Sequence, residues 1–133
     1  MIIIGKIEPI RGGDDDRRMI TAYESKDGEF EITYFVIRKT MGAPLGNHYH
    51  REKKETFLIL NGSGILTYAD VVEVNNKVRL YLEKPDIIEL HEGTVVQILP
   101  YTAHAFRLEE GSVMVCFSDK AFNANDMPFC KVI

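Results

Sequence analysis

Gly42-Ala43-Pro44-Leu45-Gly46-Asn47-His48-Tyr49-His50-Arg51-Glu52-Lys53-Lys54-Glu55-Thr56-Phe57-Leu58-Ile59-Leu60-Asn61-Gly62 is the stretch of this chain that carries the most information. In an extended segment, residues two apart share a face, so His48 and His50 present both imidazoles to one side while Tyr49 points away. Two converging neutral imidazoles suit a borderline divalent ion. Glu55 follows His50 by five residues, enough for a reversal that returns a carboxylate to the same ion before Phe57-Leu58-Ile59-Leu60 continues as a strand. His104 follows Pro100-Tyr101-Thr102-Ala103 and precedes another strand-like run, which makes it the fourth candidate.

Outward from this segment, short apolar or alternating runs recur: Ile2 to Ile7, Phe30 to Lys39, Thr56 to Leu60, Ile65 to Tyr68, Val71 to Val74, Val78 to Leu82, Ile87 to Leu90, Thr94 to Leu99, Ala105 to Leu108 and Val113 to Ser118. Polar punctuation separates them, at Gly12-Gly13-Asp14-Asp15-Asp16, Asn75-Asn76, Lys84-Pro85-Asp86, Glu92-Gly93 and Glu110-Gly111. Asn75-Asn76 predicts a tight reversal, because Asn tolerates positive φ. No long helical stripe interrupts the pattern, so the expectation is an all-β sandwich or barrel.

The chain has 133 residues, 45% hydrophobic and 27% charged, which fits one globular domain over 1–133. Acidic residues outnumber basic ones by 20 to 16, and no basic block offers a track for a phosphodiester backbone, so nucleic acid is not an expected partner. Cys116 and Cys130 lack metal-ligand or disulfide-framework spacing, and Cys116 reads as a buried, inert thiol. Met1-Ile2-Ile3-Ile4-Gly5-Lys6 is too short to span a membrane and resembles no signal peptide, so a cytoplasmic location without membrane contact is expected. His91 lies outside the candidate cluster and reads as a surface residue. Several strands look too apolar to be solvated on both faces, which predicts a homodimer.

The quoted segment closely resembles the first motif of the cupin superfamily, which has the RmlC-like jelly roll. That motif is a glycine, five residues, His-x-His, three or four residues, Glu, six residues and a glycine; Gly42, His48, His50, Glu55 and Gly62 meet every position. The second motif matches at Gly93 and His104, whereas Leu99, Tyr101 and Leu108 stand where the family has proline, glycine and asparagine. The resemblance implies an all-β cupin double-stranded β-helix, or jelly-roll barrel, holding one divalent metal ion per chain through His48, His50, Glu55 and His104. Such a donor set suits zinc, manganese, iron, nickel or cobalt alike. With octahedral coordination it leaves two positions open for substrate.

Gly46-Asn47-His48-Tyr49-His50 also resembles cupin domains of sugar-nucleotide epimerases in bacterial surface-polysaccharide synthesis, and Phe122-Asn123-Ala124-Asn125-Asp126-Met127-Pro128 is similar to their tail. This narrower resemblance implies an isomerase or epimerase acting on a nucleotide-linked keto sugar. Proton removal beside a carbonyl needs an unligated polar group, for which Tyr49, Lys53 and Tyr101 are the candidates. The sequence shows no diphosphate motif, only isolated cations such as Arg51, Lys53, Lys54 and Arg107. The same ligands also fit an iron-dependent oxygenase, and the fold alone also admits a non-catalytic sugar-binding or regulatory module. The interval from Gly62 to Gly93 exceeds that of a minimal cupin and has room for an extra strand pair around Asn75-Asn76.

Overall fold

The computed structural model describes residues 1–9, 15–39 and 44–133. Gly12, Gly13 and Asp14 of the first turn cluster and Gly42 of the first motif lie outside the described residues. Among the described residues are eleven strands and one 3-10 turn: β1 (Glu8–Pro9), β2 (Arg18–Glu24), β3 (Glu31–Ile37), β4 (Leu45–His48), β5 (Glu55–Asn61), β6 (Ser63–Val74), β7 (Lys77–Leu80), β8 (Asp86–His91), β9 (Val95–Ile98), β10 (Thr102–Leu108), β11 (Val113–Ser118) and a 3-10 turn at Ala124–Asp126. No helix among them is long and apolar enough to cross a membrane.

A six-stranded antiparallel sheet runs in the order β1-β2-β3-β11-β5-β9, and faces a second sheet ordered β4-β10-β6-β7, with β8 also paired to β6. This is the jelly-roll arrangement expected of a cupin. Between the sheets pack Ile37, Phe57, Ile59, Leu66, Leu90, Ile98, Phe106, Leu108, Met114 and Cys116. Complete burial of each large side chain stabilises the fold by roughly 1.5–3 kcal/mol. A smaller cluster of Tyr49, Ala69, Val71, Ala103, Ala105 and Val132 covers the other face of β10 and β6. Consequently β10 is buried on both faces, with His104 and Phe106 turned one way and Ala103 and Ala105 the other.

Register places one row of the large sheet under the site. Glu24 pairs with Glu31, Glu31 with Ser118, Ser118 with Glu55 and Glu55 with Ile98, so three carboxyl-bearing residues share a rung. The strand expected at Ile2 to Ile7 does not form; only Glu8–Pro9 pairs, with Thr21 and Ala22, and Ile2, Ile3 and Ile4 are exposed. β2 was not legible as an apolar run, because its alternation starts and ends on charged residues. The runs Ile65 to Tyr68 and Val71 to Val74 form one strand, since Asp70 is an exposed residue whose backbone still pairs with Thr102. Asn75 and Asn76, with φ of 52° and 61°, make the expected reversal into β7, which is the extra pair.

Two glycines are dictated by close approach. A Cβ on Gly46 (φ 120°) would lie 2.5 Å from the His104 carbonyl oxygen, and one on Gly62 (φ 91°) would lie 2.2 Å from Ser112 Oγ. The first contact lets β4 run tightly beside β10, and the second closes the link from β5 to β6.

Candidate metal centre

Each of the four candidate ligands comes from a different local device. His48 ends β4 and pairs in register with His104, which lies inside β10 rather than in the loop before it. The run read as Ala105 to Leu108 begins three residues earlier, because Thr102, Ala103 and His104 also pair with β6. Glu55 is the first residue of β5. His50 lies just past β4, where the Tyr101 N–H donates to its carbonyl at 2.7 Å. Tyr101 has φ 61°, so its backbone occupies the left-handed region that glycine enters most readily.

The four ligand atoms lie within 4.8 Å of one another. His50, Glu55 and His104 are buried and His48 is half-buried. Glu55 Oε1 is 3.1 Å from His50 Nε2 and 3.4 Å from His104 Nε2, yet with both rings neutral it has no hydrogen-bond partner. The opposite ring nitrogens explain why. His104 Nδ1 lies 3.0 Å from the Thr102 carbonyl, and His50 Nδ1 lies against the Asp126 carbonyl. A carbonyl can only accept, so both Nδ1 atoms carry hydrogen, and in a neutral ring each Nε2 turns a lone pair toward the carboxylate. Lone pairs and an anion converging on one buried point require a cation between them. The cluster is geometrically compatible with one divalent metal ion.

The charges of the metal-free cluster follow the same logic. Burial, with the neighbouring His104 and His50, lowers His48 to about 3. Burial also lowers His104. For His50 burial pulls downward, but the carboxylate of Glu55 outweighs it and the value is raised. Burial would raise Glu55, but the hydrogen bond from His50 and the charges of the three imidazoles hold it near about 2. A proton on His50 therefore takes the place of the cation when no ion is bound.

A cavity of about 500 Å³ opens onto the cluster, with His48, His50, Lys53 and Glu55 on its wall. The same wall carries Arg17, just before β2, Arg18 at its start, and Glu24 and Glu31 from the carboxylate rung. The adjacent arginines were not singled out from sequence; their only signal was position, after the acidic turn whose Asp15 they both bind at 2.9 and 3.0 Å. Lys53 is buried and lines the cavity. Tyr49 points away from the cluster, as the alternation predicted: its ring packs in the smaller core and its hydroxyl donates to Glu73. Tyr101 is partly exposed with its ring 6.0 Å from that of Tyr49. Of the three polar candidates, only Lys53 is on the cavity wall. Cys116 is buried below the cluster, and burial raises its thiol pKa far above the usual range, which keeps it protonated and inert. His91 is exposed, as expected.

A family model described as FdtA: WxcM-like, C-terminal, matches residues 4–128. No curated protein sequence gives a significant match. Among solved structures, the capsular polysaccharide assembling protein CapF from Staphylococcus aureus superposes with TM-score 0.68 at 23% identity, over 97% of this chain and 34% of CapF. The chain thus spans about a third of CapF. A Streptomyces PAC13 variant with uridine superposes with TM-score 0.65 at 13% identity, over 96% of this chain and 87% of PAC13. Oxalate decarboxylase from Bacillus subtilis gives TM-score 0.69 at 16% identity, over 92% of this chain and 30% of that one. At these identities the likeness establishes the jelly-roll fold.

Proposed function

We propose, for a chain that belongs to the WxcM-like C-terminal (FdtA) family of the cupin superfamily, a metal-dependent enzyme that moves a proton beside the carbonyl of a nucleotide-linked keto sugar. The observation that carries this reading is the placement of four converging ligands on a cavity with a charged wall, rather than in a sealed core. His48, His50, Glu55 and His104 would hold the ion. When bound, it would supply a Lewis acid able to polarise a substrate carbonyl. The substrate class is supported by what similar folds are described with: CapF assembles capsular polysaccharide, and PAC13 is described as a nucleoside dehydratase and was solved with uridine.

The remaining groups have separable tasks in this reading. Lys53 alone of the three polar candidates meets the cavity, so it is the residue placed to exchange a proton with a bound sugar. The proton leaves the carbon next to the carbonyl and its bonding pair moves into the carbonyl group. Return to the opposite face of that carbon gives the epimer, whereas the isomer forms when the hydroxyl on that carbon passes its proton to the former carbonyl oxygen and the former carbonyl carbon takes up the proton. Tyr49 and Tyr101 then act as scaffold, holding the segment that carries His48 and His50. In this reading Arg17 and Arg18, which pair with Asp15, are the cations of a mixed-charge wall that would meet an anionic substrate.

The test is incubation of metal-loaded protein with a panel of nucleotide-linked keto sugars in deuterated water, followed by NMR. Exchange beside the carbonyl is expected, and Lys53→Met should slow it by about 100-fold or more with metal content unchanged. Binding without exchange would replace the enzyme reading with a binding module. Oxygen consumption by iron-loaded protein would replace it with an oxygenase.

A further inference from the structure

Resting on the four-ligand reading of the site, we infer that the segment after β11 is a working part of the metal centre and that Asp126 is its positioning residue. The backbone carbonyl of Asp126 takes the Nδ1 hydrogen of His50. Its carboxylate accepts the next two backbone N–H groups, Arg51 at 2.7 Å and Glu52 at 3.2 Å. The contacts continue without a gap along the ligand segment. The Tyr49 N–H donates to the Pro128 carbonyl at 3.1 Å, His48 forms a β-bridge with Phe129, and the Cys130 N–H donates to the Asn47 carbonyl at 2.8 Å. Asn47 Oδ1 accepts the N–H groups of Val132 and Ile133 at 2.8 and 3.2 Å. Every residue from Asn47 to Glu52 except His48 is therefore hydrogen-bonded to residues 126–133, and His48 lies directly opposite Phe129.

Packing alone does not account for this segment. β4 lies at the edge of its sheet, with no strand on its outer side, and the C-terminal segment covers that edge. Of residues 120–133 only Val132 is buried, with Cys130 and Ile133 packed beside it in the smaller core, so the stretch before Cys130 adds little apolar burial and is held mainly by hydrogen bonds aimed at the ligand loop. Phe122 and Met127 of the same segment line the cavity. One strap thus fixes the tautomer and direction of His50, holds the turn toward Glu55, and closes one side of the substrate space. Removing the Asp126 carboxylate leaves two N–H groups to find new acceptors, and the His50 ring moves with them. By reciprocity, an ion bound at His50 tightens the strap.

The experiment uses the full chain with Co2+ as probe, comparing wild type with Asp126→Ala, Asp126→Asn and Ser25→Ala. The last removes a similar acceptor, for the Phe30 N–H at 3.0 Å, in the turn between β2 and β3. Asp126→Ala should weaken Co2+ binding by about 10- to 100-fold and change the cobalt d–d spectrum. Asp126→Asn, which keeps one carbonyl oxygen, should recover part of the affinity, and Ser25→Ala should match wild type in both readouts. In wild type, Co2+ should slow hydrogen exchange at the Arg51 and Glu52 amides. Wild-type affinity and spectrum in both Asp126 variants, or amides indifferent to Co2+ in a protein that binds it, would overturn the positioning role alone. Failure of wild type to bind Co2+ would instead remove the four-ligand reading beneath it.

Discussion

Glu55→Gln, studied in chelator-treated protein, isolates the electrostatics that make the cluster a cation site. The substitution keeps shape and removes the charge that lies 3.1 Å from His50 Nε2. In the folded chain Glu55 titrates at about 2 against an ordinary 4.5. Its folded value is the lower one, so its stabilisation is present above about pH 4.5 and is lost as the pH falls toward 2. Linkage gives a loss on the order of 1 kcal/mol already by about pH 3.5, approaching roughly 3 kcal/mol when complete. His50 has the opposite sign: its value is raised above 6.5, so its contribution is present below 6.5 and is lost as the pH rises through the folded value. Gln removes both contributions. His48 and His104, already lowered by burial, lose the raising effect of the Glu55 charge in the variant and move lower still. Urea unfolding of the two proteins across about pH 3.5 to 8 should therefore show the stability gap widest between about 4.5 and 6.5 and shrinking on both sides. NMR should find His50 titrating above 6.5 in wild type and below it in the variant. A gap that does not change with pH, or a His50 titration untouched by the substitution, would refute the account of the charges.

Gly62→Ala should cost about 1–3 kcal/mol in urea unfolding, because its φ is 91° and the new Cβ would lie 2.2 Å from Ser112 Oγ. Asn76→Gly should be neutral or stabilise by up to about 1 kcal/mol in the same assay, since φ 61° in the reversal between β6 and β7 suits glycine better. Light scattering over a concentration series should show a homodimer, with the outward Leu60, Val95 and Phe117 of the large sheet supplying exposed apolar surface; a monomer throughout would count against it.

The barrel and three of the four ligands were legible because their signals are local. His48, His50 and Glu55 fall within eight residues, and side-chain alternation alone turned Tyr49 away from the cluster. Tyr101 shows where residue identity misleads: it stands where the motif has a glycine, yet its φ of 61° is in the region glycine enters most readily. What stayed hidden depends on register. Nothing in the chain order reveals that Glu24, Glu31 and Glu55 share one rung, or that Arg17 and Arg18 face the cavity, because strands far apart in sequence set those positions. The expectation at Ile2 to Ile7 failed for the converse reason. Strong β-propensity does not make a strand where no neighbouring edge pairs with it. Asp126 carried only a weak resemblance to a family tail, while its contacts to Arg51 and Glu52 span 75 and 74 residues.

Elemental analysis of protein purified without chelator, beside His48→Ala, His50→Ala, Glu55→Ala and His104→Ala, tests the metal centre most directly. Wild type should carry close to one divalent ion per chain, and each variant should lose most of it while circular dichroism still reports β structure. Full occupancy in all four variants, or none in wild type, would contradict a metal centre at His48, His50, Glu55 and His104.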